Sequence, residues 1–225
     1  MHRYLALFFL LGMQVAPVCA AAPDSTMAAI DSTYSLDKHE VTSAQFAAFL
    51  NAKGNQREGN APWVELGTRF SLIEEQAGHF APVQGFEQHP AIEVSWEGAR
   101  AYCAWAGKRL PTEDEWTLAC AGAESRSYPW GEEPAEGRAN LAGDKDGFVR
   151  TAPVGTFPQG ATPQGVMDLA GNVWEWTAAD SAAVAHLRGG SWVNGTSMAK
   201  CGVRAAVSSA HSYIKSNSVG FRCAR

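Results

Sequence analysis

The sequence predicts an α+β domain with few helices, small sheets and long irregular connections, and three observations support this prediction. Helix signals occur three times before residue 122 and not after it. The chain contains 22 glycines and 11 prolines, which favour turns, and 8 tryptophans, which can anchor loops. Its 225 residues suit one medium-sized domain. We therefore expect a helical front half followed by an irregular back half that contains short strands.

The composition is that of a protein with a buried core. Hydrophobic residues make up 46% of the chain and charged residues 18%, which excludes a disordered chain, a coiled coil and a collagen-like fibre. The formal net charge is −5, so the surface offers no general electrostatic attraction for nucleic acid or an anionic membrane. We expect no nucleic acid partner and no direct insertion into a membrane.

Residues 1–20 have the pattern of a secretory signal peptide. A basic start precedes an apolar stretch that is too short for a stable membrane span, and small residues suit cleavage after Ala20 or Ala22. An uncleaved anchor helix and a lipid attached to Cys19 are the two alternatives. We expect residues 21–225 to form one exported domain in an oxidising compartment, the periplasm.

The first part of the exported chain contains a predicted strand and a predicted helix. Residues 33–38 favour a short strand. Thr42 and Gln45 form a capping box, and the apolar residues that follow them have helical spacing. Gly54 is expected to end this helix. Residues 55–90 have no clean period and are predicted as loops with short strands.

Two further helices are predicted before the irregular half. Ser95 can cap a helix over residues 96–106. Thr112 and Glu115 form a second capping box, with acidic side chains at the positive end of the helix dipole, and this helix is expected to end at Ala121. From residue 127 onward the sequence favours turns and short strands. Such segments need cross-links or bound metal ions to hold them.

Four cysteines remain after the predicted signal peptide: Cys103, Cys120, Cys201 and Cys223. In an oxidising compartment they predict two disulfides, and the sequence alone leaves all three connectivities open. The six histidines are scattered, with no pair at the spacing of a helical metal site. The sequence therefore gives no signal for zinc.

Six sequence strings together resemble the formylglycine-generating enzyme family, also called the sulfatase-modifying-factor family. The resemblance covers residues 33–225, and the strings RLPTE-x-EW and GN-x-WEW are its most specific parts. It implies a fold similar to that of C-type lectins, with few helices and twisted small sheets. The strings occur at residues 40–50, 104–116, 128–131, 171–176, 187–192 and 220–222.

The resemblance implies two calcium sites and a disulfide pairing. Calcium prefers six to eight hard oxygen ligands, and the family's ligand positions carry such groups here, so we expect one or two structural calcium ions. One predicted set consists of the Asn140 and Asp146 side chains with the Leu141 and Phe148 carbonyls. The other consists of the Asp168 and Glu175 side chains with the Gly171 and Val173 carbonyls.

Only one of the family's two disulfides has cysteines at both matching positions in this sequence. The resemblance implies a bridge between Cys103 and Cys223. The family partner of the Cys120 position corresponds here to Arg204. Because Cys201 lies three residues earlier, a shifted bridge between Cys120 and Cys201 is predicted. Each bridge is expected to stabilise the fold by about 2–4 kcal/mol.

The family's oxidases use two cysteines that bind copper(I), and neither is present at its expected position. The two positions correspond to Asn194 and Ala199, and a family arginine corresponds to Val207. An amide and a methyl group cannot form the thiolate pair that suits copper(I). The sequence therefore predicts no copper and no oxidase site.

Two function hypotheses of different class follow. The first is a non-catalytic periplasmic binding protein that presents a groove to a protein partner. In this it would be similar to exported family members that assist type VI secretion upstream of a membrane threonine kinase. The partner would be the periplasmic domain of such a kinase or an envelope lipoprotein. The predicted groove residues are Trp174, Trp176, Ser191, Trp192 and Asn194.

The second hypothesis is a periplasmic modifying enzyme of oxidase type that acts on an exported substrate. Its candidate polar groups are Ser191, Asn194, Arg204, Ser208 and His211, with His211 as a possible general base. A calcium-dependent sugar binder is a third possibility that rests on the fold alone.

Overall fold

A computed structural model describes residues 26–58, 61–179, 184–207 and 216–225. The predicted signal peptide, Ser208 and His211 lie outside these ranges, so the predictions that concern them are not addressed by the fold. Among the described residues, no helix has both the length and the apolar character that crossing a membrane requires.

Three helices occupy the front half, as the capping signals predict: α1 (Ser43–Lys53), α2 (Trp96–Trp105) and α3 (Glu113–Ala121). The Thr42 and Thr112 hydroxyls accept from backbone amides three residues later, and the side chains at those positions accept from the cap amides in return. Each box satisfies two otherwise unpaired donors at a helix start. Two single-turn 3₁₀ helices in the back half correct the prediction that nothing helical follows α3, at Pro158–Gly160 and Thr196–Ala199.

The strands are short and form one four-stranded sheet and three two-stranded ribbons. In the large sheet the order is β10-β7-β8-β9, with β10 parallel to β7 and the other pairs antiparallel. The ribbons pair β1 with β2, β3 with β4 and β5 with β6. The strands are β1 (Met27–Ala29), β2 (Ser35–Asp37), β3 (Arg57–Glu58), β4 (Ala61–Pro62), β5 (Ile73–Gln76), β6 (His79–Pro82), β7 (Trp174–Trp176), β8 (Ala185–Arg188), β9 (Arg204–Val207) and β10 (Val219–Gly220).

The main core is an aromatic cluster between α1, α2 and the large sheet. Phe46 of α1 stacks on Tyr102 of α2 at 5.7 Å between ring centroids and meets Phe221 edge-on at 5.9 Å. Phe49 stacks on Trp63 at 4.9 Å. Such aromatic pairs stabilise beyond their buried area. A second, smaller cluster lies around Trp116 of α3.

Two disulfides tie the helices to the irregular half, in the pairing that the resemblance implies. Cys103 of α2 is bonded to Cys223 near the carboxyl terminus, 120 residues away in sequence. Cys120 of α3 is bonded to Cys201, 81 residues away. Both bridges close long loops, so each restricts the unfolded chain strongly.

A buried ion pair joins β7 to the carboxyl-terminal segment. Arg222 and Glu175 are both fully buried, with a nitrogen–oxygen distance of 2.7 Å. The Glu175 carboxylate also accepts from the Arg222 Nε and from the Trp116 indole, each at 2.8 Å. Arg222 donates further to the carbonyls of Asp37 and Met167. We call Arg222, Glu175 and Trp116 the buried junction.

Candidate functional site

A double-glycine turn after β8 sets the position of the loop in which the sequence analysis predicts the family's oxidase positions. Gly189 and Gly190 have φ angles of 93° and 73°, a region that glycine tolerates best. A Cβ at Gly190 would lie 2.9 Å from the Met198 carbonyl oxygen. The turn therefore needs glycine both for its backbone angles and for the close return of the chain. We call residues 191–199 the loop after β8.

The polar groups of this loop bind one another. The Ser191 hydroxyl donates to Asn194 Oδ1 at 2.8 Å, and the Asn194 amide nitrogen of the backbone donates to the Ser191 carbonyl at 2.9 Å. The Asn194 carbonyl accepts from the backbone of Ala142 at 2.9 Å. These bonds hold Asn194 by its side chain and its backbone. Its side-chain oxygen is thus already engaged by a neighbour in the same loop.

Ala199, at the second oxidase position, is completely buried and packs in a small cluster with Ala139 and Ala170. The cysteines in the part of the chain that the structure describes are all in disulfides. The loop therefore holds an amide and a methyl group at the two positions that the sequence analysis assigns to the family's copper(I) ligands.

Much of the predicted groove is not accessible, which corrects the interpretation of its tryptophans. Trp174 and Trp176 are buried in the main core, and the Trp176 indole donates to the Val94 carbonyl at 3.0 Å. Both lie on β7, a central strand whose two faces are covered. Ser191 is buried as well, whereas Trp192 and Asn194 are half-buried and line the surface.

A cavity of about 380 Å³ lies beside the loop after β8. Its walls come from residues 134–146 and from Gly195 and Thr196, directly after Asn194. The lining is mainly alanine, glycine, proline and leucine, with the exposed pair Lys145 and Glu136 at its edge. The space can take a small apolar side chain, and its ionisable lining groups, Glu136, Lys145 and Asp146, lie on the 134–146 side of the cavity.

The first predicted calcium set contains an unsatisfied buried oxygen. Asn140 Oδ1 is buried and has no hydrogen-bond partner, while the amide nitrogen of that side chain donates to the Arg150 carbonyl and to Asn172 Oδ1. The Asp146 carboxylate accepts from the backbone of Leu141 at 2.8 Å and of Phe148 at 3.0 Å. Asn140 Oδ1 is thus a buried hard oxygen without a partner, the kind of ligand that calcium binds, while the Asp146 carboxylate closes its own loop.

The second predicted set does not fit calcium in the same way, because Glu175 is committed to the buried junction. Its Oε2 accepts from both Trp116 and Arg222, and its Oε1 accepts from Arg222. The guanidinium places a positive charge where the predicted ion would be held. Burial raises the pKa of Asp168 to about 6, although a bond from the Gly155 amide and the charge of Arg222 oppose this.

Glu40 is a further buried acid beside this set that sequence reasoning missed. Its Oε2 accepts from Asn172 Nδ2 at 3.2 Å, and its Oε1 has no partner. Burial, and next the charge of Asp168, raise the pKa of Glu40 well above its usual range. Glu40 precedes Val41 and Thr42 in the first family string, which was the available signal.

The groups proposed for a modifying enzyme do not form a constellation among the described residues. Arg204 lies on β9, where its guanidinium pairs with Glu113 of α3 at 3.3 Å. Glu113 also accepts from His186 Nδ1 at 2.8 Å. Ser191 and Asn194 bind each other in the loop after β8. Arg204 is therefore part of a β9–α3 contact, with its charge already paired.

The fold and the site define a lectin-like α+β domain whose oxidase-type loop lacks reactive thiols. The chain belongs to the sulfatase-modifying-factor family, since residues 9–225 match the family described as "Sulfatase-modifying factor enzyme 1-like domain". Membership of this family and its fold class are thus confirmed.

Three kinds of named protein are similar to the chain: an inactive enzyme, an enzyme and a protein kinase. The Inactive C-alpha-formylglycine-generating enzyme 2 of Bos taurus is 39% identical over 191 residues, 78% of this chain and 62% of that protein. The Formylglycine-generating enzyme of Streptomyces coelicolor is 33% identical over 247 residues, 85% of this chain and 77% of that protein. The Serine/threonine-protein kinase pkn1 of Chlamydia caviae is 37% identical over 145 residues, 64% of this chain and 22% of that protein.

The chain thus spans less than two thirds of the bovine and chlamydial proteins. Among solved structures, that of PvdO from Pseudomonas aeruginosa is similar, with a TM-score of 0.63 and 24% identity. The match covers 85% of this chain and 80% of that one. At this identity the likeness shows the fold alone.

Proposed function

We propose that the protein is a non-catalytic binding and regulatory protein of the periplasm, built on the formylglycine-generating enzyme scaffold. One observation carries this proposal: the loop after β8 holds Asn194 and Ala199 where the family's oxidases hold two cysteines. The Asn194 side chain is bonded to Ser191, and Ala199 is buried. The loop keeps its shape without the groups that the oxidation needs.

Two kinds of similar protein support this proposal, an inactive enzyme for the absence of catalysis and kinases for the link to signalling. One of them is named as an inactive formylglycine-generating enzyme, and others are named as serine/threonine kinases. We infer that this domain promotes signalling to a membrane threonine kinase that controls type VI secretion. The partner would be the kinase's periplasmic domain or an envelope lipoprotein. The two disulfides agree with export to an oxidising compartment.

We further propose one structural calcium ion, at the set of Asn140, Leu141, Asp146 and Phe148. The buried Asn140 oxygen without a partner supports it. Calcium would supply a positive charge that binds loop oxygens. Hydrogen bonds of the chain itself would connect this segment to the loop after β8. Asn140 holds the Arg150 carbonyl, and Ala142 donates to the Asn194 carbonyl, so the segment supports the loop after β8.

The absence of oxidase chemistry is tested with the full exported chain and a cysteine-containing peptide. We expect no oxygen consumption with copper(I) and no conversion of the peptide cysteine. Asn194→Cys combined with Ala199→Cys should bind copper(I), whereas Asn194→Ser with Ala199→Ser should not. Copper-dependent turnover by the native chain would instead support the alternative, a periplasmic modifying enzyme of oxidase type.

The regulatory role is tested in the envelope of a strain that lacks the protein. Chemical crosslinking should join the native chain to the periplasmic part of a membrane kinase, and kinase autophosphorylation should fall when the gene is deleted. Restored phosphorylation by the Asn194→Ser/Ala199→Ser variant would show that no chemistry at the loop is needed. Normal phosphorylation in the deletion strain would contradict the role.

A further inference from the structure

Two arginines lie on one phenylalanine at the surface of the molecule. The Arg69 guanidinium carbon is 4.5 Å from the centre of the Phe70 ring, and that of Arg150 is 5.0 Å from it. Both arginines are exposed, and Phe70 is half-buried. The two side chains come from distant parts of the sequence, so the fold assembles this group.

Neither guanidinium has a carboxylate partner among the residues that the structure describes. In contrast, Arg100 pairs with Glu58 and Arg109 with Glu115. The chain as a whole carries a formal net charge of −5. Two adjacent unpaired guanidiniums on an acidic protein therefore form a local positive patch that attracts carboxylates.

A strained residue builds the loop that carries Arg69 and Phe70. Glu93 has a φ of 57°, in the left-handed region, and is almost fully buried. Its carboxylate accepts from the Thr68 hydroxyl at 2.7 Å and from Ser71 at 3.4 Å, and its carbonyl accepts from the Glu65 amide. Such a conformation costs about 1–3 kcal/mol and persists only where the surroundings enforce it. The Glu93 carboxylate is thus engaged in fixing the shape of this loop.

The positive patch continues to Trp192, one of the two predicted groove residues that remain accessible. Phe70, Arg150 and Trp192 line the same narrow crevice, together with Thr151. The Trp192 indole donates to the Asn217 carbonyl at 3.1 Å, which fixes the ring. We call Arg69, Phe70, Arg150 and Trp192 the arginine–aromatic patch.

We propose that the arginine–aromatic patch binds an acidic, extended segment of the partner protein. The inference rests on the proposed binding function and names the chemistry of its partner. Guanidiniums bind carboxylates through two parallel hydrogen bonds, and the aromatic faces can pack an apolar side chain between the acidic positions. The patch offers too few cations to follow a nucleic acid backbone, and it lies on a chain whose net charge is negative.

A direct test uses two fluorescent peptides of about twelve residues and the full exported chain. One alternates Glu and Asp with Leu and Phe, and the other replaces every acid by Lys. The acidic peptide should bind with an affinity that falls as salt rises, and the basic peptide should not bind. Arg69→Glu combined with Arg150→Glu should weaken the acidic peptide at least tenfold, since charge pairs across an interface are then made repulsive.

The matched control is Lys53→Glu combined with Lys200→Glu. It makes the same change in net charge at two exposed sites away from the patch, and it should bind within about twofold of the native chain. Equal loss in both double variants would overturn the proposal, because net charge and not the patch would then set the affinity. Binding of the basic peptide, or of neither peptide, would also overturn it.

Vesicles with anionic lipid provide the competing outcome. Binding to vesicles of phosphatidylglycerol that depends on Arg69 and Arg150, without binding of the acidic peptide, would assign the patch to a membrane surface and overturn the proposal. The oxygen-consumption assay decides the proposed function separately. A native chain that shows no turnover but binds no acidic peptide would keep the non-catalytic role and remove only this partner chemistry.

Discussion

The buried junction and the loop after β8 both adjoin the paired strands β7 and β8, and they differ in what their polar groups do. In the buried junction, Arg222 and Glu175 are fully enclosed and use their charges on each other and on nearby carbonyls. In the loop, Ser191 and Asn194 bond only to each other and to backbone. The difference teaches that the buried charges of this chain join distant segments of the fold, whereas the polar groups of the loop fix the shape of the loop itself.

The largest expected effect comes from breaking the buried junction. Arg222→Met leaves the Glu175 carboxylate buried without its cation, so we expect the free energy of unfolding to fall by about 3–5 kcal/mol. Urea denaturation of the exported chain measures it. If this variant does not fold, Glu175→Gln provides a second test. It removes the charge but keeps the shape of the side chain, and it should also lower the free energy of unfolding.

The control for the junction is an exposed pair. Arg100→Met removes the Arg100–Glu58 pair, whose side chains are 48% and 39% exposed. It should cost less than about 1 kcal/mol, because solvent screens both charges. A loss at Arg222 as small as the loss at Arg100 would show that the junction does not hold the fold together.

Removing the disulfides sharpens the comparison, because one of them ends beside the loop. Replacing Cys120 and Cys201 by Ala should lower the free energy of unfolding by about 2–4 kcal/mol, and so should replacing Cys103 and Cys223. The first change should also speed amide exchange in residues 191–199, since Cys201 lies two residues after the end of this loop. Exchange measured by mass spectrometry distinguishes the two variants. Equal loop exchange in both would contradict this local role.

The helices could be predicted from local sequence signals, whereas the accessibility of the candidate site depends on contacts between residues far apart in sequence. The capping boxes at Thr42 and Thr112 are short patterns, and both form as predicted. The accessibility of Trp174 and Trp176 depends on the neighbours of a three-residue central strand, which one sequence does not show. Glu40 was missed because its partner Asn172 lies 132 residues away. The assignment of Asn194 and Ala199 to the family's two cysteine positions rests on spacing from the family motifs, and it stays a prediction.

Calcium should stabilise the segment beneath the loop and leave the buried junction unchanged. At a free concentration one hundred times its dissociation constant, calcium should add about 2.7 kcal/mol to the stability of the native chain. Asn140→Ala should abolish that gain, because it removes the buried oxygen that lacks a partner. Thermal unfolding with calcium and with chelator measures both.

The control for calcium is another asparagine whose side chain is hydrogen-bonded to the backbone. Asn51 binds the backbone of Phe80 through both side-chain atoms and lies on α1, away from the predicted set. Asn51→Ala should destabilise the chain yet retain the full gain from calcium. A gain that persists in Asn140→Ala would place calcium elsewhere.

The smallest expected effect is a pH dependence of the free energy of unfolding that arises from His89. Burial lowers the pKa of His89, whose Nδ1 lies 2.9 Å from the Thr151 hydroxyl, beside Arg150 of the arginine–aromatic patch. A depressed pKa in the folded state means that the neutral ring favours folding. This stability is fully present above the unfolded pKa, near 6.5, and is lost as pH falls through the lower folded value.

We therefore expect the contribution of His89 to the free energy of unfolding to decline between pH 7 and pH 5, and His89→Gln to remove that decline, which is less than about 1 kcal/mol. The buried acids Glu40 and Asp168, whose pKa values are raised, change the stability in the opposite direction over this range, so the native chain and the variant are compared at each pH. His79→Gln, a change at an exposed histidine, should leave the decline unchanged. A steeper decline in His89→Gln would mean that protonation of His89 favours the fold, and the sign would then be wrong. Because His39 shares the direction of the shift, the residual slope in His89→Gln should fall further when His39 is also replaced.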